Sequence, residues 1–207
     1  MKNIEKIVII KYSSSKDGDN MHLYLLRHGE TDWNKSKKIQ GLTDIELNDK
    51  GKSQAEQMRD RLRNVNFTSC FSSPLKRARE TAAIIVDGKC DIDENILLLE
   101  RSFGRYEGMC LDDMNVDIAS LWDYNSVIED VETMKNLLNR ADLFLKQLSI
   151  TCKDDDHVAV VAHGGIIKAL YYALNGYDEN TDFLSFHLDN CEIYTHEYKV
   201  NNSNLRK

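Results

Sequence analysis

Two apolar runs mark the chain, "HLYLL" from His22 to Leu26 and "HVAVVA" from His157 to Ala162. Each is continuous rather than alternating and is bounded by polar residues, the character of buried parallel strands covered by helices on both faces. A shorter run, "TSCFSS", is strand-like as well. Between these runs the period lengthens. Ala55, Met58, Leu62 and Val65 recur at three-and-four spacing after Gly51, which predicts a surface helix. A second helix is expected with Ser73 as its cap and Pro74 at its first position, running towards Val86 and turning Ala78, Ala82 and Ile85 to the core. Val131, Met134, Leu138, Ala141, Leu145 and Leu148 predict a long helix, followed by a solvated loop over Lys153 to Asp156. A further helix spans Gly164 to Leu174, and the alternating tail "FLSFHLDNCEIYTHEYKV" predicts a terminal pair of strands.

This alternation of strands and helices implies an α/β fold, a three-layer α/β/α sandwich around a mostly parallel sheet. The region from about Met109 to Asp130 is expected to form a small helical cap, with Trp122 and Tyr124 as candidates to touch the organic part of a substrate. Residues 1–20 end in a Ser, Lys, Asp and Gly cluster and read as a flexible extension, leaving 21–207 as one domain. Neither an internal repeat nor a low-complexity block interrupts it.

Composition narrows the function. A net charge of -7 and a pI near 5.4 argue against a nucleic-acid binder, so any anion must meet a local basic pocket. The longest apolar stretch near the start, Ile7 to Ile10, is too short for a signal-peptide core of about 7 to 15 residues or a membrane span of about 20. The 5 cysteines are widely spaced and odd in number, as expected of reduced thiols in a cytoplasmic protein. No HExxH, CxxC or clustered carboxylates carry metal-ligand spacing, so neither a metal nor another cofactor is expected.

In open α/β sheets ligands bind beyond the carboxyl ends of the strands, where "RHG" at Arg27 and "HGG" at His163 both fall. Arg77 follows the third strand-like run in "SSPLKRARETA", and Glu100 ends "NILLLE". Two arginines and two histidines in one pocket suit a phosphoryl group, because guanidinium forks match its oxygens and stay charged. Gly164 and Gly165 open a helix whose N-terminus favours anions. Taken singly these residues say little; Glu100 reads equally well as solvated or as paired with Arg101.

Taken in order, the motifs are similar to those of the histidine phosphatase superfamily, in its phosphoglycerate-mutase-like branch. The matching stretches are "LLRHGETDWN" (25–34), "QGLTDIELNDKGKSQAEQM" (40–58), "SSPLKRARETA" (72–82), "LLERSFGRYEGM" (98–109) and "VVAHGGIIKAL" (160–170). The resemblance implies His28 as the nucleophile that takes the phosphoryl group, with Arg27, Arg77 and His163 holding the phosphate and Glu100 donating the proton. It places Gly29 and Asn34 in the same phosphate-side loop, with Gly164 beside it. A neutral His28 needs an acceptor on its other ring nitrogen, such as a backbone carbonyl.

The resemblance also frames a choice. Mutases with this pattern carry an insertion with paired arginines and a proline-rich segment, whereas this chain has 1 proline, Pro74, and only Arg105, Lys135, Arg140 and Lys146 between Phe103 and Ile150. The expected activity is therefore hydrolysis of a small phosphorylated metabolite through a phosphohistidine, with mutase-type transfer as the alternative. Tyr106 stands where phosphatase members often carry Trp. A module that only binds phospholigands would be expected to lack His28 or Glu100, and both are present.

Overall fold

The computed structural model describes residues 20–199. The extension expected over residues 1–20 lies outside that range except for Asn20. The chain runs β1 (Met21–Arg27), α1 (Asp32–Lys35), α2 (Asp49–Arg61), β2 (Ser69–Ser72), α3 (Lys76–Val86), β3 (Ile92–Glu94), α4 (Ile118–Leu121), α5 (Met134–Thr151), β4 (His157–Ala162), α6 (Gly164–Asn175) and β5 (Ile193–Tyr198). The sheet order is β3-β2-β4-β1-β5, parallel throughout except for β5, which runs antiparallel along β1.

The two central strands explain the three layers. Leu23 and Leu25 of β1, with Val158, Val160 and Ala162 of β4, pack against α5 and α6 through Leu137, Phe144, Leu148, Ile167 and Leu170. The intervening Tyr24, Leu26, Ala159 and Val161 pack on the other face with Met58 of α2 and Ala82, Ile85 and Val86 of α3. Side chains alternate across a strand, so a strand buried on both faces is apolar at every position. That is the origin of the continuous runs in the sequence. Among the described residues no helix is long and apolar enough to cross a membrane, and all five cysteines are unpaired.

Three expectations need correction. Ser73 does not cap α3: its N–H still pairs with the Val161 carbonyl at 3.0 Å, extending the strand, and the helix begins at Lys76 after an extended Leu75. Asp44, from a distant loop, accepts from the Lys76 N–H at 2.7 Å instead. Only β5 forms in the tail, because side chains from elsewhere occupy the backbone of the preceding segment. Lys168 donates to the carbonyls of Phe183 and Phe186, and Arg27 donates to that of Leu188. The cap region carries only a 3-10 turn at Leu111–Asp113 and the four residues of α4.

Trp122 is likewise occupied by the protein itself, its ring lying between the Arg101 guanidinium at 5.1 Å and the Lys168 ammonium at 4.6 Å. Tyr124 faces Lys135, whose ammonium is 4.8 Å from its ring centroid.

Phe144 ties α5 to the sheet, fully buried and meeting Phe71 edge-on at 5.7 Å. Phe144→Ala is expected to lower stability by about 3–5 kcal/mol, read as a drop in the urea midpoint.

Candidate active site

The parallel strands deliver the site at their carboxyl ends. Arg27 is the last residue of β1, and His28 follows it, its N–H bonded to the Ala162 carbonyl at the end of β4 at 3.0 Å. His163 is the next residue along that strand and the N-cap position of α6. Arg77 sits in the first turn of α3, with no exposed surface. The two imidazoles meet edge to face, 5.1 Å between centroids. The four donors expected from sequence are thus neighbours.

Hydrogen bonds settle both ring tautomers. The Gly29 carbonyl can only accept, so at 2.7 Å it accepts from His28 Nδ1–H, and the lone pair of the neutral ring is on Nε2. A backbone carbonyl is the acceptor expected from sequence. His163 is the reverse: Arg77 Nε donates to its Nδ1 at 3.1 Å, so its Nε2 carries the proton and donates to Ser73 Oγ at 2.8 Å. Burial, with the Arg77 and Arg27 guanidinium groups, holds His28 well below the ordinary 6.5. Burial and then Arg77 do the same to His163. Both rings are neutral at pH 7.

Among the described residues Arg77 has no carboxylate partner in hydrogen-bond contact. Its Nη1 donates to the Thr43 carbonyl and its Nη2 to that of Gly41, both at 2.8 Å. Burial pushes its pKa down to about 10, which leaves it charged at neutral pH. The loop supplying those carbonyls is pinned by Glu107, which accepts from the N–H groups of Leu42 and Thr43 at 2.9 Å and from Thr43 Oγ1 at 2.6 Å. Glu107 thereby has a structural task. Glu30, the other nearby carboxyl, pairs outward with Lys50.

Arg27 donates Nη1 to the Leu188 carbonyl at 2.7 Å, while its Nε is buried without a hydrogen-bond partner. Gly164 lies against this guanidinium; a Cβ there would stand 3.6 Å from Nε. Gly29 is pressed so closely on α2 that an added Cβ would come within 2.4 Å of the Gly51 carbonyl oxygen, and its N–H donates to Thr81. Asn34 completes a capping box with Thr31, its Oδ1 accepting from the Thr31 N–H and from Asn190, which leaves donation to its Nδ2.

Glu100 is half-buried, and its carboxyl group is bonded to backbone rather than to the Arg101 side chain. Its carboxylate accepts from the N–H groups of Gly165 at 2.9 Å, Ile166 at 3.2 Å and Arg101 at 2.8 Å. The helix N-terminus expected to face a phosphate thus holds Glu100 in this structure. Sequence reasoning missed Ser73, Thr81 and Asn190, whose hydroxyl and amide groups fix the two histidines and the Gly29 loop. None carries a local signal, since their partners lie far along the chain.

Comparison with known proteins identifies the family. Residues 23–207 match the histidine phosphatase superfamily (branch 1), and the chain belongs to that superfamily, as a phosphatase-class enzyme. It is 34% identical over 167 residues to phosphoglycerate mutase-like protein 4 of Arabidopsis thaliana, covering 76% of this chain and 72% of that protein. It is 32% identical over 185 residues to the uncharacterized phosphatase PhoE of Bacillus subtilis (strain 168), covering 87% and 93%. The crystal structure of phosphoserine phosphatase in complex with 3-phosphoglyceric acid from Entamoeba histolytica superposes with a TM-score of 0.74 at 32% identity, covering 84% of this chain and 89% of that one.

Two outcomes follow from this geometry. The folded values of His28 and His163 lie well below 6.5, so the unfolded chain takes up protons first and stability falls as pH drops below 6.5. The urea midpoint should decline between pH 6.5 and about 5, and less steeply in His163→Gln. A Cβ at Gly165 would lie 2.5 Å from Glu100 Oε1. Because that oxygen ends a flexible side chain, Gly165→Ala should displace Glu100 and lower kcat while changing stability by about 1 kcal/mol or less.

Proposed function

We propose that this protein hydrolyses small phosphomonoesters in two steps through a phosphohistidine on His28. The observation that carries the reading is the His28 tautomer, with Nδ1–H held by the Gly29 carbonyl at 2.7 Å and an unprotonated Nε2 in a buried, cationic pocket. An imidazole attacks phosphorus only through an unprotonated nitrogen. The buried Arg27 Nε–H without an acceptor supports the same reading, because an unsatisfied buried donor costs about 1–3 kcal/mol that a phosphate oxygen would relieve.

In the first step His28 Nε2 forms the P–N bond as the P–O bond to the leaving alcohol breaks. Arg27, Arg77 and His163 stabilise the charge spread over the phosphoryl oxygens, donors already held in place. His163 does so by turning its Nε2–H from Ser73 to the phosphoryl group. Asn34 Nδ2 and the backbone at Gly29 and Gly164 line the same pocket. Glu100 gives its proton to the departing oxygen, an alkoxide too basic to leave unaided. In the second step the Glu100 carboxylate takes a proton from water, whose oxygen attacks phosphorus; the P–N bond breaks and neutral His28 returns. The five unpaired thiols suit a reducing, cytoplasmic compartment.

Rapid quenching during turnover tests the phosphoenzyme. Wild type should yield protein-bound phosphate that survives base and is lost in acid, and His28→Ala should yield none; equal labelling of His28→Ala overturns the proposal. Glu100→Gln should slow alkyl phosphates more than aryl phosphates, whose phenolates need less protonation. Interconversion of 3- and 2-phosphoglycerate without release of phosphate would instead favour the mutase reading suggested by the Arabidopsis relative's name.

A further inference from the structure

Arg140, on α5, binds the segment that carries Glu100 rather than any residue of the phosphate pocket. Its Nη1 donates to the carbonyls of Leu97 at 2.9 Å and Leu99 at 2.8 Å, and its Nη2 to the carbonyl of Glu100 at 3.2 Å. Nε and Nη2 also grip the two carboxylate oxygens of Glu132, both at 2.8 Å. Glu132 is tied back in turn: its carbonyl accepts from Arg101 Nε at 2.7 Å, and its N–H donates to the Ser102 carbonyl at 2.9 Å. Residues 97–102 and 132–140 are thereby laced together by two guanidinium groups.

The lacing matters because this segment has little structure of its own. A single 3-10 turn, Ile96–Leu98, ends in an extended Leu99, and no strand takes the carbonyls that follow. Arg140 takes those of Leu99 and Glu100. The pair with Glu132 is mostly shielded from solvent, with side-chain exposures of 21% and 16%. Both residues line, with Glu100, a cleft of about 380 Å3 that also contains Leu42, Leu99 and Asn136. In the resting structure the Glu100 carboxylate has its own anchor on the N–H groups of Gly165 and Ile166. To reach a leaving-group oxygen it must give up that anchor, and the position of its backbone then limits where the carboxyl can reach.

We propose that Arg140 is a positioning residue for proton transfer, holding the Glu100 backbone so that its carboxyl meets the leaving oxygen. The proposal rests on the reading of Glu100 as the proton donor. A planar fork is required, since one lysine ammonium cannot serve the three carbonyls and the carboxylate together.

The test compares kcat/KM for an aryl and an alkyl phosphate in wild type, Arg140→Gln, Arg140→Lys, Glu132→Gln and Glu100→Gln. Arg140→Gln should lower the alkyl rate about ten- to a hundredfold, as a misplacement near 1 Å does, with the aryl rate changed by less than about threefold. Arg140→Lys should recover only part of this, and Glu100→Gln/Arg140→Gln should be no worse than Glu100→Gln alone. Equal losses on both substrates, or full rescue by lysine, overturn the proposal and leave Arg140 a purely structural tie. If Arg140→Gln fails to fold, Glu132→Gln must show the same selectivity for alkyl leaving groups, and uniform loss there overturns it equally. Selectivity in Glu100→Gln without any in the Arg140 or Glu132 variants defeats this inference alone; its absence from Glu100→Gln defeats the proton-donor reading and this inference with it.

Discussion

A permanent positive charge buried without a carboxylate beside it is the constraint around which the site is built. Arg77 has no exposed surface, and each of its guanidinium nitrogens donates to a neutral acceptor, two carbonyls and one imidazole nitrogen, with further N–H groups left over. Neutral acceptors offset the lost hydration only if each stays in place. Other elements serve that end: Glu107 fixes the 41–43 loop, Asp44 takes the exposed N–H at the start of α3, and the end of β4 presents His163. A carboxylate in direct contact would have neutralised the charge; its absence keeps the positive field available to an incoming anion.

The same field governs the histidines. Two guanidinium groups and burial favour neutral imidazole, while the tautomer of each ring follows from the partner of its Nδ1. A carbonyl accepts a hydrogen bond from His28 Nδ1–H, and an arginine N–H donates one to His163 Nδ1. Two identical side chains 5.1 Å apart are thereby differentiated into one with a lone pair on Nε2 and one with a proton on Nε2.

Much of this was legible along the chain where local pattern and spatial role coincide. The runs at His22 and His157 became the central strands because both faces of each are buried, and Arg27, His28 and His163 are set by the ends of those strands. β3 carried no such signal, since its three residues are exposed or half-buried at the sheet edge. The alternation after Phe183 misled because Lys168 and Arg27 recruit that backbone in place of a neighbouring strand. Ser73 resembled a cap because it stands before Pro74, but its hydroxyl meets the Leu75 N–H ahead of the helix and an imidazole 90 residues away. The tie between Arg140 and the Glu100 segment was likewise invisible, as no spacing rule reaches across 40 residues.

The two halves of the site hang on different supports. The phosphate side is formed by strand ends, the first turns of α3 and α6, and the tight contact of Gly29 with Gly51, where not even a methyl group fits. The proposed leaving-group side is mostly irregular chain from Leu97 to Glu132, fastened to α5 by side chains rather than by a sheet ladder. Such a seam lets insertions and exchanges accumulate on one bank while the other stays unaltered. The alcohol side of the proposed site can therefore change while its phosphorus side is kept.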